Sequence, residues 1–350
     1  MSKVSMPGKI FGTVMSHGLK GRMLTKNELQ ILCESRDMDE LVTRMKNTVY
    51  LDALAKLTKP YTADKIENAL KEYLVNTHAK MVSVSGGAKI ISSYFIKYII
   101  WNLKMILKGK ALGKSYDELL PKINLRAEEL VGRRDLVVKA LVSKNLDEAI
   151  STLAGSEFAD DVTKAAAIYK DKGDVRVFDV YLDHVFYHDL GRAMNTESQS
   201  MEAKNIVSVD IDSYNVLAIL RGKFWNLSPD DISQLIVTST SKVTKDTIQK
   251  MINAEKIPEA IAELSTTVYK DIVPQNPTND IDSILHIEKG FEDMGLKRAM
   301  SAFRTMFSVG IVLAALKLIM AEVRNLSAIA SGIEQKIPRD TIVSKLININ

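Results

Sequence analysis

The chain has 350 residues, 46% hydrophobic and 26% charged, which is enough apolar content for two or three cores and too much for a disordered chain. Its 47 basic and 43 acidic residues leave a net charge of +4 with no basic run of the kind that neutralises a phosphate backbone, so no nucleic-acid partner is expected. A single cysteine, Cys33, excludes an intramolecular disulfide and a multi-cysteine zinc cluster, and fits a reducing cytosolic compartment.

Residues 1–20 read as an N-terminal extension. Pro7, Gly8, Gly12 and Gly18 break it and Lys3 and Lys9 charge it, so it has no continuous apolar core for a signal peptide. Next comes a block marked by Leu29, Leu32, Cys33, Met38, Val42 and Met45. The same spacing returns as Val137, Ala140, Leu141, Leu146, Ile150 and Leu153, and again as Ile248, Met251, Ile252, Ile257, Ile261 and Leu264. Steps of three, one, five, four and three describe two short amphipathic helices separated by a turn. Asp39-Glu40, Asp147-Glu148 and Pro258-Glu259 fall where the second helix begins, a position that suits carboxylates and proline. Thr48-Val49-Tyr50 also recurs, as Thr267-Val268-Tyr269. The counterparts of Cys33 are Leu141 and Ile252, so the thiol reads as a small buried hydrophobe and not as a nucleophile.

Ser83 to Lys89 superficially resembles a phosphate-binding loop through Gly86 and Gly87, but it lacks the GxxxxGK[ST] spacing and a preceding strand; a turn between helices is expected. Two apolar stretches follow along the chain. Ile90 to Leu103 is interrupted by Lys97, and Thr305 to Leu316 ends at Lys317. Both fall short of the roughly 20 residues a bilayer-spanning helix requires. They are expected to be buried core helices, leaving the chain with no transmembrane segment of its own.

A second motif appears three times: Asn102, Ile106 and Gly109; Asn215, Ile219 and Gly222; Asn325, Ile329 and Gly332. Its copies stand 113 and 110 residues apart, about the size of a small domain. Each glycine is expected at a helix C′ position with positive φ. New helices should start some six residues later, at Ser115 with its capping-box partner Glu118, at Ser228-Pro229, and at Pro338, with Asp117, Asp230 and Asp340 in their first turns. The three asparagines lack an accompanying acid, base or nucleophile, and are better read as buried amides that satisfy loop backbone at a corner between helices. Lys108, Lys110, Arg221 and Lys223 flank the first two glycines, whereas Ser331 and Ile333 flank the third. These cations are either solvated or line a shared partner-contact surface.

His184 and His188 stand one helical turn apart, but Val185 replaces the glutamate of HExxH and no third ligand is specified. No catalytic, cofactor-binding or metal-binding residues are predicted. Strand signals, residues 206–211 and 235–243, are short and lie at unit edges. The predicted fold is all-α, with helical units over 21–125, 126–237 and 238–350.

With Tyr214 to Lys223 followed by Leu227-Ser-Pro-Asp-Asp-Ile232, and with Glu322 to Gly332 before Ile337-Pro338, the threefold unit resembles the C-type subunit family of archaeal and bacterial A/V-type ATPases, related to the d-type subunit of eukaryotic V-ATPases. The resemblance covers nearly the whole chain. It implies a non-catalytic, funnel-shaped helical protein with three similar units around a pseudo-threefold axis. Such a protein would sit on the cytoplasmic face of the membrane proteolipid ring, seat the foot of the central-stalk shaft (its D- and F-type components), and bind no nucleotide. Ser331 and Ile333 depart from the basic pattern of the other two copies. A generic helical adaptor would share the repeats, and a metal-dependent enzyme would need His184 and His188 as ligands.

Overall fold

The computed structural model describes residues 6–85, 88–196, 200–239, 242–275 and 279–349, and among them every regular element is helical. Gly86 and Gly87 of the glycine-containing turn lie outside the described residues. The chain begins with α1 (Met6–Lys20), α2 (Lys26–Cys33), α3 (Met38–Lys46), α4 (Leu51–Leu54), α5 (Ala63–Val84), α6 (Lys89–Ser93), α7 (Ile96–Ala111) and α8 (Tyr116–Leu119). It continues through α9 (Arg126–Val131), α10 (Arg134–Val142), α11 (Leu146–Thr152), α12 (Ala159–Lys172), α13 (Val177–Thr196), α14 (Met201–Phe224) and α15 (Pro229–Gln234). The last elements are α16 (Lys245–Asn253), α17 (Ile257–Ala262), α18 (Asp280–Ala302), α19 (Val309–Glu334) and α20 (Arg339–Lys345). Residues 206–211, which carried a strand signal, lie inside α14, where burial on every side selects β-branched residues as readily as a sheet would.

The short helix pairs are fixed by matching contacts. The second helix of each pair begins with acidic residues, and a glutamate in its first turn accepts the backbone N–H four residues earlier: Arg36 to Glu40 (3.0 Å), Lys144 to Glu148 (2.8 Å) and Glu255 to Glu259 (3.1 Å). Their inner faces hold Leu32, Cys33, Val42 and Met45 in the first pair and Met251, Ile252 and Ile261 in the third, all buried.

Each pair packs on a long helix contributed by another part of the chain: α2 and α3 on α19, α10 and α11 on α7, α16 and α17 on α14. The long helices follow the same order, with α5 against α19, α13 against α7 and α18 against α14. Two of these joints carry a matching polar contact. Glu322 accepts the Tyr50 hydroxyl (2.6 Å) and the Leu24 N–H (3.0 Å), while Asp212 accepts the Tyr269 hydroxyl (2.6 Å) and the Val243 N–H (3.4 Å). At the corresponding places around α7 stand Phe158 and Ile99, both buried. An acid and a tyrosine are thus replaced together by two hydrophobes, so that neither polar group is left buried alone.

The Asn…Gly motif is a corner, built three times with the same offsets. Asn102, Asn215 and Asn325 are buried, and each clasps the backbone of the residue 22 positions later. The side-chain amides donate to the carbonyls of Asn124 (2.7 Å), Val237 (2.9 Å) and Ile347 (2.9 Å). The amide oxygens accept the same residues' N–H groups at 3.3, 2.9 and 2.7 Å.

The glycines differ from expectation. Gly109, Gly222 and Gly332 lie inside α7, α14 and α19 without positive φ, and the left-handed residues are Gly113, Asn226 and Lys336, four positions on. What the glycine supplies is room. A Cβ there would collide with Leu119, come within 2.8 Å of Ile232 or within 2.6 Å of Ile342, the side chains of the next short helix ten residues away. Each helix ends in a Schellman motif. The N–H groups of Lys114, Leu227 and Ile337 return to the glycine carbonyls at 2.9, 2.9 and 2.8 Å.

Two cores result. The larger spans α1 to α14 together with the C-terminal part of α18, α19 and α20, and the smaller lies between α14, α15 to α17 and the N-terminal part of α18. The stretch Lys89–Ala111 is long and apolar enough, by length and composition, to cross a membrane. Here it is broken into α6 and α7 at Tyr94 and Phe95, and Ile90, Ile91, Ile99, Leu103, Ile106 and Leu107 are buried in the larger core.

Candidate functional site

The long helices border a half-open cavity of about 1110 Å³. It draws its wall from all three parts of the chain, and α7, α14 and α19 contribute residues at equal distances from their motif asparagines. Five positions before the asparagine stand Lys97, Asp210 and Met320; one before, Trp101, Tyr214 and Arg324; two after, Lys104, Leu217 and Ser327; three after, Met105, Ala218 and Ala328. All twelve line the cavity. Position is shared and chemistry is not.

Nine basic and six acidic side chains border this space, so the wall carries an excess of positive charge. Most charges are paired across helix joints. Lys104 reaches Asp183 (2.7 Å) and Lys108 reaches Asp179 (2.8 Å), which ties α7 to α13. Arg221 bonds Glu288 (2.8 Å) between α14 and α18, Arg324 bonds Glu292 between α19 and α18, and Lys317 bonds Asp210 between α19 and α14. Asp210 also accepts the Tyr94 hydroxyl at 2.8 Å. The most enclosed of these, Lys317 with Asp210, is costly to break from one side, because the remaining charge is stranded in low dielectric, whereas the half-exposed Arg221 and Arg324 pairs contribute less.

Lys97 is the exception among the wall cations that are not exposed; Lys289 and Lys345, which among the described residues also make no such bond, are open to solvent. Among the described residues its amine makes no hydrogen bond or ion pair, and it faces aromatic rings instead. The centroids of Phe186, Tyr94 and Tyr187 lie 4.7, 5.5 and 5.8 Å away. Burial pushes its pKa down to about 8, against the pull of Asp210. Burial likewise drives the hydroxyls of Tyr94, Tyr187 and Tyr214 far above their usual range, so these rings add no charge of their own beside the lysine.

Of the four cations singled out in the sequence, Lys108 and Arg221 border the cavity, whereas Lys110 and Lys223 do not. Lys110 is buried. The Lys223 amine is occupied by the carbonyls of Ile252 (2.8 Å) and Ala254, capping the C-terminal end of α16. Their counterpart Ile333 is buried as well, so this position faces the body of the protein and a hydrophobe serves there.

His184 Nδ1 donates to the Asp161 carboxylate at 2.8 Å, with the His188 ring 6.0 Å from its own. No group of three metal-capable side chains occurs among the described residues. Cys33 is buried, with its thiol pushed up to about 11, which removes the thiolate that a nucleophile requires. Sequence reasoning overlooked Lys97, Asp210 and Lys317 as wall residues. The signal was present: Lys97 and Lys317 are the charges that interrupt the two apolar stretches, and a lone charge in a buried helix must face a partner or a cavity.

The model of the ATP synthase (C/AC39) subunit family matches residues 13–345 of the chain. Among known proteins, the A-type ATP synthase C-type subunit of Methanocaldococcus jannaschii is 23% identical over 344 residues, covering 94% of this chain and 84% of the relative. That of Pyrococcus abyssi is 26% identical over 333 residues, covering 93% and 86%. A match across almost the full length, on a helical body, leads to one conclusion: the chain belongs to the ATP synthase (C/AC39) subunit family.

Proposed function

We propose that this chain is the non-catalytic connector of a rotary A/V-type ATP synthase, seating the foot of the central-stalk shaft in its cavity and resting on the membrane proteolipid ring at the cytoplasmic face. The observation that carries this reading is the wall itself, to which α7, α14 and α19 bring residues from equal distances to their motif asparagines. Three units, 21–125, 126–237 and 238–350, would then surround a pseudo-threefold axis and form a funnel. The order of packing supports it, because α5 returns to α19 and brings the first unit against the last. The space could hold about two and a half turns of helix with its side chains, by the dimensions of an α-helix. Lys108 and Arg221, held by Asp179 and Glu288, are wall cations that the D- and F-type components of the shaft would meet as paired, positioned charges.

A packed helical body suits torque transmission, since close-packed interiors are stiff and pass strain on. The test is reconstitution of the complex with and without this chain, measuring ATP hydrolysis and ion pumping together. Hydrolysis is expected to persist without the chain while pumping is lost. Coupled pumping that survives its removal unchanged would overturn the proposal.

A further inference from the structure

We infer that Lys97 pairs with a carboxylate on the inserted end of the shaft, and that this contact fixes one rotational register of the shaft within the cavity. The inference rests on the shaft-seating reading above and adds to it a residue and a geometry. Three wall positions are equivalent in the helices that carry them, five residues before each motif asparagine, yet they hold a cation (Lys97), an anion (Asp210) and a thioether (Met320). The anion is already satisfied by Lys317 and by the Tyr94 hydroxyl. Met320 offers no charge. Of the three, only Lys97 presents an unpaired charge to the cavity, set beside the rings of Phe186, Tyr94 and Tyr187.

An ammonium buried in this way is incomplete by itself. A carboxylate from an entering helix would supply the missing partner while the helix displaces water from the cavity, which strengthens a charge-assisted hydrogen bond. The excess of basic side chains around the wall favours an acidic insert over a basic one. Turned by one third, the same carboxylate would face Asp210; turned by two thirds, it would lie against Met320. In both mismatched registers the nearest cations, Lys317 and Arg324, are already committed to Asp210 and Glu292, so the carboxylate would find no free partner, which is how an interface excludes wrong alignments. A socket with equivalent positions in three helices thereby becomes a keyed one.

The test uses the full-length chain and the purified D- and F-type shaft proteins of its complex. Lys97→Met is expected to weaken shaft binding on the order of 30-fold or more, as for truncation of one partner in a buried charged pair, while Lys97→Arg stays within about threefold of the unsubstituted chain. Register is read separately. Met105→Cys, Ala218→Cys and Ala328→Cys place one new thiol at each equivalent wall position, to be cross-linked to a shaft carrying a single cysteine near its foot. With Lys97 intact, one of the three should cross-link; with Lys97→Met in the same chains, the cross-link should spread over all three. Binding by Lys97→Met equal to that of the unsubstituted chain, or equal cross-linking at all three sites with Lys97 present, would overturn the inference. If Lys97→Met does not fold, the cross-linking pattern with Lys97 present decides alone. Absence of any shaft binding by the unsubstituted chain would instead strike the connector reading itself.

Discussion

The corners and the cavity wall are built from the same helices, only a few residues apart, yet the three copies have treated them in opposite ways. At the corners, the asparagine clasp, the crowded glycine and the Schellman turn recur with identical offsets and nearly the same distances. On the wall, equivalent positions hold lysine, aspartate and methionine, or tryptophan, tyrosine and arginine. Backbone groups at a corner have one acceptable solution, because a buried N–H or C=O without a partner is penalised whatever the neighbours are. A wall that faces a cavity is not constrained in that way. Internal repetition therefore separates what the fold requires from what the individual surface is free to become.

That contrast can be broken most directly at the second corner. Asn215→Ala leaves the Val237 N–H and C=O unpartnered in a buried place, and should lower unfolding free energy by about 3 kcal/mol in urea titration. Ser327→Lys, which copies the residue at Lys104 onto the third wall, should change it by less than about 0.5 kcal/mol. Equal losses for the two would erase the distinction.

Gly109→Ala comes next. A methyl placed against Leu119 must displace that side chain, and a net loss of about 2 kcal/mol is expected even though alanine favours helix. Combining it with Leu119→Ala should cost less than the sum of the two single changes, a coupling that a double-mutant cycle reads directly.

The joint at Glu322 differs from its relative at the Phe158 and Ile99 positions by being titratable. Burial raises the Glu322 carboxyl to about 7, above its unfolded value of 4.5, despite the bonds from Tyr50 and Leu24. The folded state holds the extra proton between those values, so its contribution is fully present below pH 4.5 and fades as pH rises through 7. His78 works the other way. Burial lowers it to about 4, so its contribution is present above pH 6.5 and is lost as pH falls through 4. Thermal melts of the unsubstituted chain and of Glu322→Gln should diverge between about pH 5 and 8, with the slope removed by the substitution amounting to about 1 to 2 kcal/mol. Parallel curves would show that the joint behaves like its apolar counterpart.

The smallest change expected at a corner concerns Lys336, which holds φ 56° where the first corner uses Gly113. Lys336→Gly should stabilise the protein by about 1 kcal/mol, seen as a raised melting temperature.

Most of the corner was legible in advance because it depends on local offsets. The asparagine as a buried amide, the capping box at Ser115 and the acidic first turns of α8, α15 and α20 are all visible within a dozen residues of sequence. The glycine was misread because the left-handed residue is glycine in only one copy; Asn226 and Lys336 hide the pattern in the others. Its true constraint, a side chain ten residues on in the next helix, is tertiary. The cavity was less legible for the same reason. The charges of Lys97 and Lys317 inside apolar helices signal that each faces a partner or a cavity, but no local rule indicates that the two share one space, or that Lys223 turns away from it to cap α16.

The bond between Tyr50 and Glu322 joins residues 272 positions apart, and Leu24 reaches the same carboxylate across 298. During synthesis, at roughly 5 to 20 residues per second, about 15 to 55 seconds pass between the emergence of the two partners. Throughout that interval, α2 and α3 carry Leu32, Val42 and Met45 with no α19 to cover them. The surface of α2 and α3 is thus completed only by α19, and an apolar face stays open to wrong partners until almost the last helix is made.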